Sequence, residues 1–376
     1  MYTRIIQNIL SSRMGDGKAI ILYGPRQVGK TTVLKMLLAG RDDILWLNGD
    51  EPDVRAMFED ITSTRLRSLI GTRRVVVVDE AQRINSIGLC LKLITDNMPD
   101  VQLIATGSSS FALANGIREP LTGRKREFQL FPLSFEELQL SNGLLEEKRL
   151  LPHRLVYGSY PDVLNHAGEE QEVLAELADS YLYKDILQLD RIKKSDRLVK
   201  LLQALAYQIG SMVSYNELAQ LCGLDPKTVE SYVQLLEQSF IIFRLGSYSR
   251  NLRNELKFSR KIYFWDCGIR NAVIGNYQQA ELRMDVGALF ENYVIAERMK
   301  SLRYAKSHAQ SFFWRTSAKQ EVDYIEEKDT LLSAYEFKWN AKKHPSAPSA
   351  FVTAYPASSF RVVTPENYDE FVMLKC

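Results

Sequence analysis

The sequence predicts an α/β fold organised on a parallel sheet, and three observations predict it. A short apolar run, Ala19-Ile20-Ile21-Leu22-Tyr23, leads into Gly24-Pro25-Arg26-Gln27-Val28-Gly29-Lys30-Thr31-Thr32, and that stretch leads into the helix-like Val33-Leu34-Lys35-Met36-Leu37-Leu38. Farther on, Val75-Val76-Val77-Val78 shows no polar alternation, as a strand buried on both faces requires, and it ends at the paired acids Asp79-Glu80. Around these, further apolar runs alternate with helical stretches, the pattern of strands joined by crossover helices.

The glycine-rich stretch fits G-x-x-x-x-G-K-[ST] at Gly24, Gly29, Lys30 and Thr31, in the strand-to-helix context the pattern needs. Its expected ligand is a nucleoside triphosphate. Glycines let the backbone curl around phosphate oxygens, and the following helix adds the positive end of its dipole. Residues 24–32 are therefore the expected nucleotide-binding segment. Lys30 is expected to reach the β- and γ-phosphates, and the Thr31 hydroxyl to complete the coordination of Mg²⁺.

At 376 residues the chain exceeds what one core usually holds, so two or three domains are expected. A hydrophobic share of 45% and a charged share of 25% exclude a disordered chain. Lys and Arg number 48 against 46 Asp and Glu, so any nucleic-acid surface must be a local patch. Cys90, Cys222, Cys267 and Cys376 form no C-x-x-C pair, which argues against a zinc site or a disulfide framework and fits reduced thiols. The N-terminus lacks a secretory apolar region and no run approaches eighteen apolar residues, so a cytoplasmic protein without a membrane partner is expected.

The first domain is placed at residues 1–150. Ile5, Ile6, Ile9 and Leu10 stand at helical spacing before the first strand. Residues 44–47 read as a second strand, 54–69 as helix, and 75–78 as the third strand. Function belongs at the carboxyl end of such a strand. Asp79 is placed to hold the Mg²⁺ shell, and Glu80 to polarise the water that attacks the γ-phosphate. A fourth strand at 101–105 runs into Thr106-Gly107-Ser108. Thr106, or failing that Ser108, is expected at the γ-phosphate or the attacking water, while the serines read equally well as helix caps. The basic loop at 118–126 offers Arg118 and Arg124 as a guanidinium for the transferring phosphoryl group, on this chain's nucleotide or a neighbouring subunit's. A fifth strand is expected at 127–131.

Gly-Pro-Arg-Gln-Val-Gly-Lys-Thr-Thr at 24–32, Val-Asp-Glu-Ala-Gln at 78–82, Ala-Thr-Gly-Ser-Ser-Ser-Phe at 105–111, Leu-Thr-Gly-Arg at 121–124 and Phe-Pro-Leu-Ser-Phe-Glu-Glu at 131–137 carry a resemblance. Together the chain resembles the prokaryotic AAA-superfamily ATPases with a C-terminal domain of unknown function. The resemblance implies a sheet in the order 5-1-4-3-2 and ATP hydrolysis assisted by an acid at Glu80. It also implies an arginine finger where Arg124 stands. It supplies no substrate beyond ATP.

The second domain is placed at 151–275. Gly158-Ser159-Tyr160-Pro161-Asp162 is a turn, and 169–189 reads as a long helix with Tyr181, Tyr183 and Asp185, part of a helical lid. Ser214-Tyr215-Asn216-Glu217 reads as a capping box, Cys222-Gly223-Leu224 as a tight turn, and Asp225-Pro226-Lys227 as the start of a second helix. This is a helix-turn-helix with Val229, Tyr232, Val233, Leu235 and Leu236 inward and Lys227, Thr228, Ser231 and Gln234 outward. Residues 240–245 and 261–265 read as the two strands of a wing. Arg250, Arg253, Lys257, Arg260, Lys261 and Arg270 near it are the cations a DNA backbone would use, and protein packing is the competing reading.

The third domain is placed at 276–376. A helix near 287–302 precedes strand-like runs at 312–315, 321–325 and 332–339. In the last run, alternation sets Glu336 and Lys338 on one side. A helix, three strands, Asp323 on the second and Glu336-x-Lys338 on the third resemble the restriction-endonuclease-like core, although Val322 stands where proline commonly precedes the aspartate. That resemblance implies Asp323 and Glu336 as Mg²⁺ ligands with Lys338 beside the reacting water and Glu291 as an added helical acid. An exposed strand with alternating charge and an inactive, retained fold are the other readings.

The fold expected is thus a P-loop parallel sheet followed by a helical lid, a winged helix-turn-helix and a small α/β endonuclease-like domain. The function expected is Mg-dependent ATP hydrolysis coupled to a C-terminal half that acts on DNA, or to one that binds a protein partner with its nuclease-like residues silent. A small-molecule kinase fits less well, because Glu80 directly follows Asp79 and such a kinase has no need of the C-terminal modules. A finger acting in trans would imply a homo-oligomer.

Overall fold

The computed structural model describes residues 2–108, 121–179, 195–249, 260–343 and 345–374. The chain divides into two compact units, Met1–Phe131 with Gln238–Phe240, and Pro132–Glu237 with Ile241–Cys376.

In the first unit, β1 (Ala19–Tyr23), β2 (Ile44–Asn48), β3 (Val75–Asp79), β4 (Gln102–Gly107) and β5 (Lys125–Gln129) form one sheet in the order β2-β3-β4-β1-β5. Every pairing is parallel, and the order is the one the family resemblance implies. Every residue of β1 and β3 is buried, which accounts for their unbroken apolar spelling. β5 begins two residues before the expected start. It is an edge strand with polar residues facing water, while the apolar Leu130 and Phe131 that suggested the later register are fully buried just beyond its end.

The second unit is built on a seven-stranded sheet in the order β12-β11-β10-β9-β7-β8-β6. Its strands are β6 (Met212–Val213), β7 (Ile242–Ser247), β8 (Arg260–Phe264), β9 (Gln310–Arg315), β10 (Glu321–Lys328), β11 (Leu331–Phe337) and β12 (Ser359–Val363). The antiparallel pair β7 and β8 covers the two runs, 240–245 and 261–265, expected as strands. β7 also runs parallel to β9, with Gly246 opposite Phe312 and Ser247 opposite Phe313. One sheet therefore crosses the boundary expected at 275, and the two segments share it. The helix Val286–Tyr304 is tied to β8 through Asn292, which accepts from the Phe264 N–H at 2.7 Å and donates to the Phe264 carbonyl at 3.1 Å. β12, absent from the sequence expectation, is a short outer strand in which only Val363 is buried.

Helices Tyr215–Cys222 and Pro226–Gln238 stand where the helix-turn-helix was expected. Ser214 caps the first by accepting the Glu217 N–H at 3.4 Å, but the Glu217 carboxylate accepts from Gln208 instead of closing a capping box. Gly223 turns the chain at φ +66°, a conformation open to glycine, and Asp225 caps the second helix at the Thr228 N–H. Val229, Tyr232, Val233 and Leu236 are buried, and Lys227, Ser231 and Gln234 are exposed. The long helix expected from 169 is described as Glu170–Asp179; Tyr181, Tyr183 and Asp185 lie outside the described residues. No helix among the described residues is long and apolar enough to cross a membrane.

Candidate nucleotide-binding site

The glycine loop follows the carboxyl end of β1 and opens the helix Lys30–Leu37. A Cβ on Gly24 would stand 2.3 Å from the Leu130 carbonyl oxygen, so no other residue fits there without moving backbone. Gly29 holds φ at +93° as the helix cap, and Gln27 takes φ +58° within the turn. Lys30 is buried at 6% exposure, its ammonium donating at 2.9 Å to the Gly24 and Pro25 carbonyls. Pro25 and Val28 are buried, Arg26 and Thr31 half-buried, and Gln27 and Thr32 exposed.

Arg4 braces this loop, a role the sequence did not signal. Its guanidinium, 4% exposed, donates at 2.7 Å to the Val28 carbonyl and at 2.6 Å to the Phe131 carbonyl. It thereby couples the back of the loop to the chain leaving β5. The only local cue is an arginine at the start of an apolar helix.

Asp79, the last residue of β3, is answered by neutral donors. One carboxylate oxygen accepts the Thr31 hydroxyl at 2.7 Å, and the other accepts the Thr106 hydroxyl and, at 3.2 Å, the Glu80 N–H. Thr106 is fully buried within β4 and turns to Asp79. Glu80 sits at φ +47°, an uncommon conformation for a side-chain-bearing residue, and its N–H also reaches the Thr106 hydroxyl at 3.2 Å. A Cβ on Gly49 would come within 2.5 Å of the Glu80 carbonyl oxygen, so the residue that follows β2 has to be glycine for Glu80 to sit where it does. Gln82 donates at 2.6 Å to the Glu80 carboxylate and at 3.0 Å to the Ser108 hydroxyl. Ser108 is thus joined to Glu80 through Gln82, a residue present in the sequence motif but without an expected role.

The set fits a hydrated divalent cation. Thr31 spends its proton on Asp79, which leaves hydroxyl lone pairs for a metal, and the second Asp79 oxygen is fixed by a hydroxyl and an amide that add no competing positive charge.

Arg124 is not brought to this set. Its carbonyl accepts the Ala19 N–H at 2.9 Å, at the opening end of β1, whereas the loop follows the closing end. A five-residue strand separates the two ends by about 16 Å. Its side chain pairs with Asp96 at 2.5 Å and is 45% exposed. In this arrangement its side chain does not reach the end of β1 that the glycine loop follows. Arg118 lies outside the described residues.

The C-terminal acids form a separate cluster around a residue expected elsewhere. Lys261 on β8 has a side chain 2% exposed, with its ammonium 2.6 Å from Glu321, 3.2 Å from Glu291 and 3.9 Å from Asp323. Tyr263 donates to the same Glu291 oxygen at 2.6 Å, Arg315 to Glu321 at 2.8 Å, the Phe337 N–H to Asp323 at 2.9 Å, and Lys338 to Glu336 at 2.6 Å. Burial, reinforced by the Asp323 charge, pushes Glu291 up to about 7, and burial also raises Asp323 and Glu336. The Lys261 ammonium is raised, the charges of Glu291, Asp323 and Glu321 outweighing its burial. Among the described residues, no group of three or more His, Cys, Asp or Glu side chains is arranged to hold a metal ion.

The expected DNA-facing cations are partly redirected. Lys261 and Arg270 are buried, Arg270 donating to the Ala206 carbonyl at 2.8 Å and to Asp285 at 2.7 Å. Neither is available to a phosphate backbone. Arg260 pairs with Glu230 at 3.6 Å and lies over the Tyr215 ring. Arg250, Arg253 and Lys257 lie outside the described residues.

Residues 16–139 match the family model described as AAA domain, residues 148–280 a domain of unknown function (DUF8612), and residues 286–372 a domain of unknown function (DUF4143). An uncharacterised protein of Methanocaldococcus jannaschii is 21% identical over 365 residues, covering 90% of this chain and 80% of that one. An uncharacterised protein of Mycobacterium tuberculosis is 25% identical over 328 residues, covering 85% and 70%. Among solved structures, the Walker-type ATPase of Pyrococcus abyssi is similar with a TM-score of 0.52 at 16% identity, over 73% of this chain and 96% of that one, a likeness of fold. The match over residues 16–139, carried on a five-stranded parallel sheet, supports an AAA-type, ATP-binding P-loop domain in the N-terminal unit.

Proposed function

We propose that the chain is a Mg-dependent ATPase whose C-terminal half engages DNA. The observation that carries the ATPase reading is the join between Thr31, Asp79 and Thr106, which places the loop hydroxyl and the strand acid in one hydrogen-bonded set next to Glu80. Residues 24–32 hold the phosphates, Lys30 by exchanging loop carbonyls for phosphate oxygens. Thr31 and Asp79 would hold a bound Mg²⁺, which would supply positive charge for the β- and γ-phosphates. Glu80 orients the attacking water and accepts its proton, and Thr106 keeps Asp79 turned toward Thr31. Arg124 serves the nucleotide of a neighbouring copy, which makes the working form a homo-oligomer.

The DNA reading is supported by the paired helices Tyr215–Cys222 and Pro226–Gln238, a winged helix-turn-helix in our reading, with Lys227, Ser231 and Gln234 on the exposed face. A nuclease reading would assign Asp323 and Glu336 to Mg²⁺, with Lys338 and Glu291 beside them, but Asp323 is already met by Lys261 and the Phe337 N–H and Glu336 by Lys338, which favours DNA engagement without cleavage. The burial of Lys261 and Arg270 favours the second reading, an ATP-driven switch or scaffold that binds a protein partner and keeps the nuclease-like fold silent. An ATP-turnover assay with and without duplex, branched and single-stranded DNA, run beside Lys30→Ala and Glu80→Gln, tests all of this. Turnover lost in both variants and stimulated by DNA is the expected result. Turnover without DNA stimulation selects the protein-partner reading, and turnover that survives Lys30→Ala refutes the site.

A further inference from the structure

Four carboxyl groups, Glu291, Glu321, Asp323 and Glu336, converge where β8, the helix Val286–Tyr304, β10 and β11 come together. In an endonuclease-like centre such a convergence exists to hold a divalent cation, whose oxygen ligands stand about 2.0–2.1 Å away for Mg²⁺. Here the convergence already contains a positive charge. Lys261 reaches three of the four groups at 2.6, 3.2 and 3.9 Å from a position 2% exposed, and β8 fixes it as part of the sheet core. Further donors crowd the same cluster: Tyr263 adds a second donor to the Glu291 oxygen that faces Lys261, Arg315 holds the other oxygen of Glu321, the Phe337 N–H holds the second oxygen of Asp323, and Lys338 holds one oxygen of Glu336.

We propose that the Lys261 ammonium is the resident cation of this cluster, standing in for the metal, so that the C-terminal module is a closed ion-pair core that neither takes up Mg²⁺ nor cleaves DNA. A metal entering among these carboxylates would meet an ammonium within a few ångströms in a site with little water to screen it, and would strip donors from oxygens that are already paired. Lysine at this place has a cue in the sequence, a charge directly heading the apolar Ile262-Tyr263-Phe264-Trp265. The inference does not depend on ATP hydrolysis, and its test uses none.

The test is binding of Mn²⁺ alone to the full chain without nucleotide, read by electron paramagnetic resonance of free Mn²⁺. It is run on the wild type, Asp323→Ala, Lys261→Met and the double variant Lys261→Met/Asp323→Ala. Any Mn²⁺ held at the P-loop is common to all four and cancels in the comparison. The expected result is that Asp323→Ala changes nothing in the wild type, while Lys261→Met gains one site, at least about a hundredfold tighter than in the wild type, that disappears in the double variant. An Asp323-dependent site in the wild type overturns the proposal, as does a folded Lys261→Met that gains none. Should Lys261→Met fail to fold, Lys261→Met/Glu291→Gln removes one charge of each sign and must gain the site, while the wild-type comparison decides independently. Mg²⁺-dependent plasmid nicking that Asp323→Ala abolishes would also refute it.

Discussion

Asp79, at the close of β3 in the first unit, and Asp323, near the start of β10 in the second, are both buried, yet they are answered by opposite kinds of partner. Asp79 receives two hydroxyls and an amide, all of them neutral donors. Asp323 receives an amide and faces an ammonium that it shares with Glu291 and Glu321. Neutral donors orient a carboxylate without spending its charge, whereas a buried ammonium spends it. A carboxylate's usefulness to a metal is therefore decided by the charge of its neighbours more than by its own position.

Substitutions at the first site should produce the largest effects on activity and sharpen the comparison. Glu80→Gln should lower ATP turnover roughly a hundredfold to ten-thousandfold while ATP affinity, read by calorimetry, stays within a few fold. Lys30→Ala should lose affinity as well. If Glu80→Gln left turnover intact, the functional half of the comparison would fall.

In the second unit the largest effect should be on stability. Lys261→Met leaves several buried carboxyl groups without their cation and should cost about 3–5 kcal/mol in urea unfolding, with Lys261→Arg costing less. A Lys261→Met variant as stable as the wild type would show that the ammonium is not what holds the acids together.

The pH dependence follows from the sign of the Glu291 shift. Its folded-state pKa is raised from the usual 4.5 to about 7, so the folded state binds the proton more tightly than the unfolded chain. The stability this contributes is fully present below pH 4.5 and is lost as pH rises through about 7. Unfolding free energy should fall by about 1–3 kcal/mol across that window, and Glu291→Gln should flatten the slope.

Smaller effects test the remaining pieces. Thr106→Val removes a hydroxyl from Asp79 and should lower turnover about tenfold at a stability cost of about 1–2 kcal/mol. Arg124→Ala should leave turnover of the dilute chain within about twofold and lower it only at concentrations where sizing shows association. An Arg124→Ala defect that is independent of concentration would contradict its placement at the far end of β1.

The two sites were not equally legible. The glycine loop, the valine strand and Asp79-Glu80 are local patterns, because a phosphate cradle is made by consecutive backbone groups and a central parallel strand is apolar on both faces. Even there, Arg4 and Gln82 went unread, since their partners Val28, Phe131 and Ser108 lie far along the chain. In the second unit the strands were found roughly in place, but Lys261 and Arg270 looked like surface cations because a charged residue in sequence carries no sign of its burial.

The sequence by itself determined the triphosphate loop, the buried strands and the cap-turn-cap rhythm of residues 214–228, all of which depend on neighbours within a few positions. Only the tertiary structure decided that β7 joins β9, that Arg124 stands at the wrong end of β1 for its own chain, and that Lys261 lies among the acids. Those outcomes rest on sheet order and on pairings between distant segments, where burial and charge are set by what the fold brings alongside.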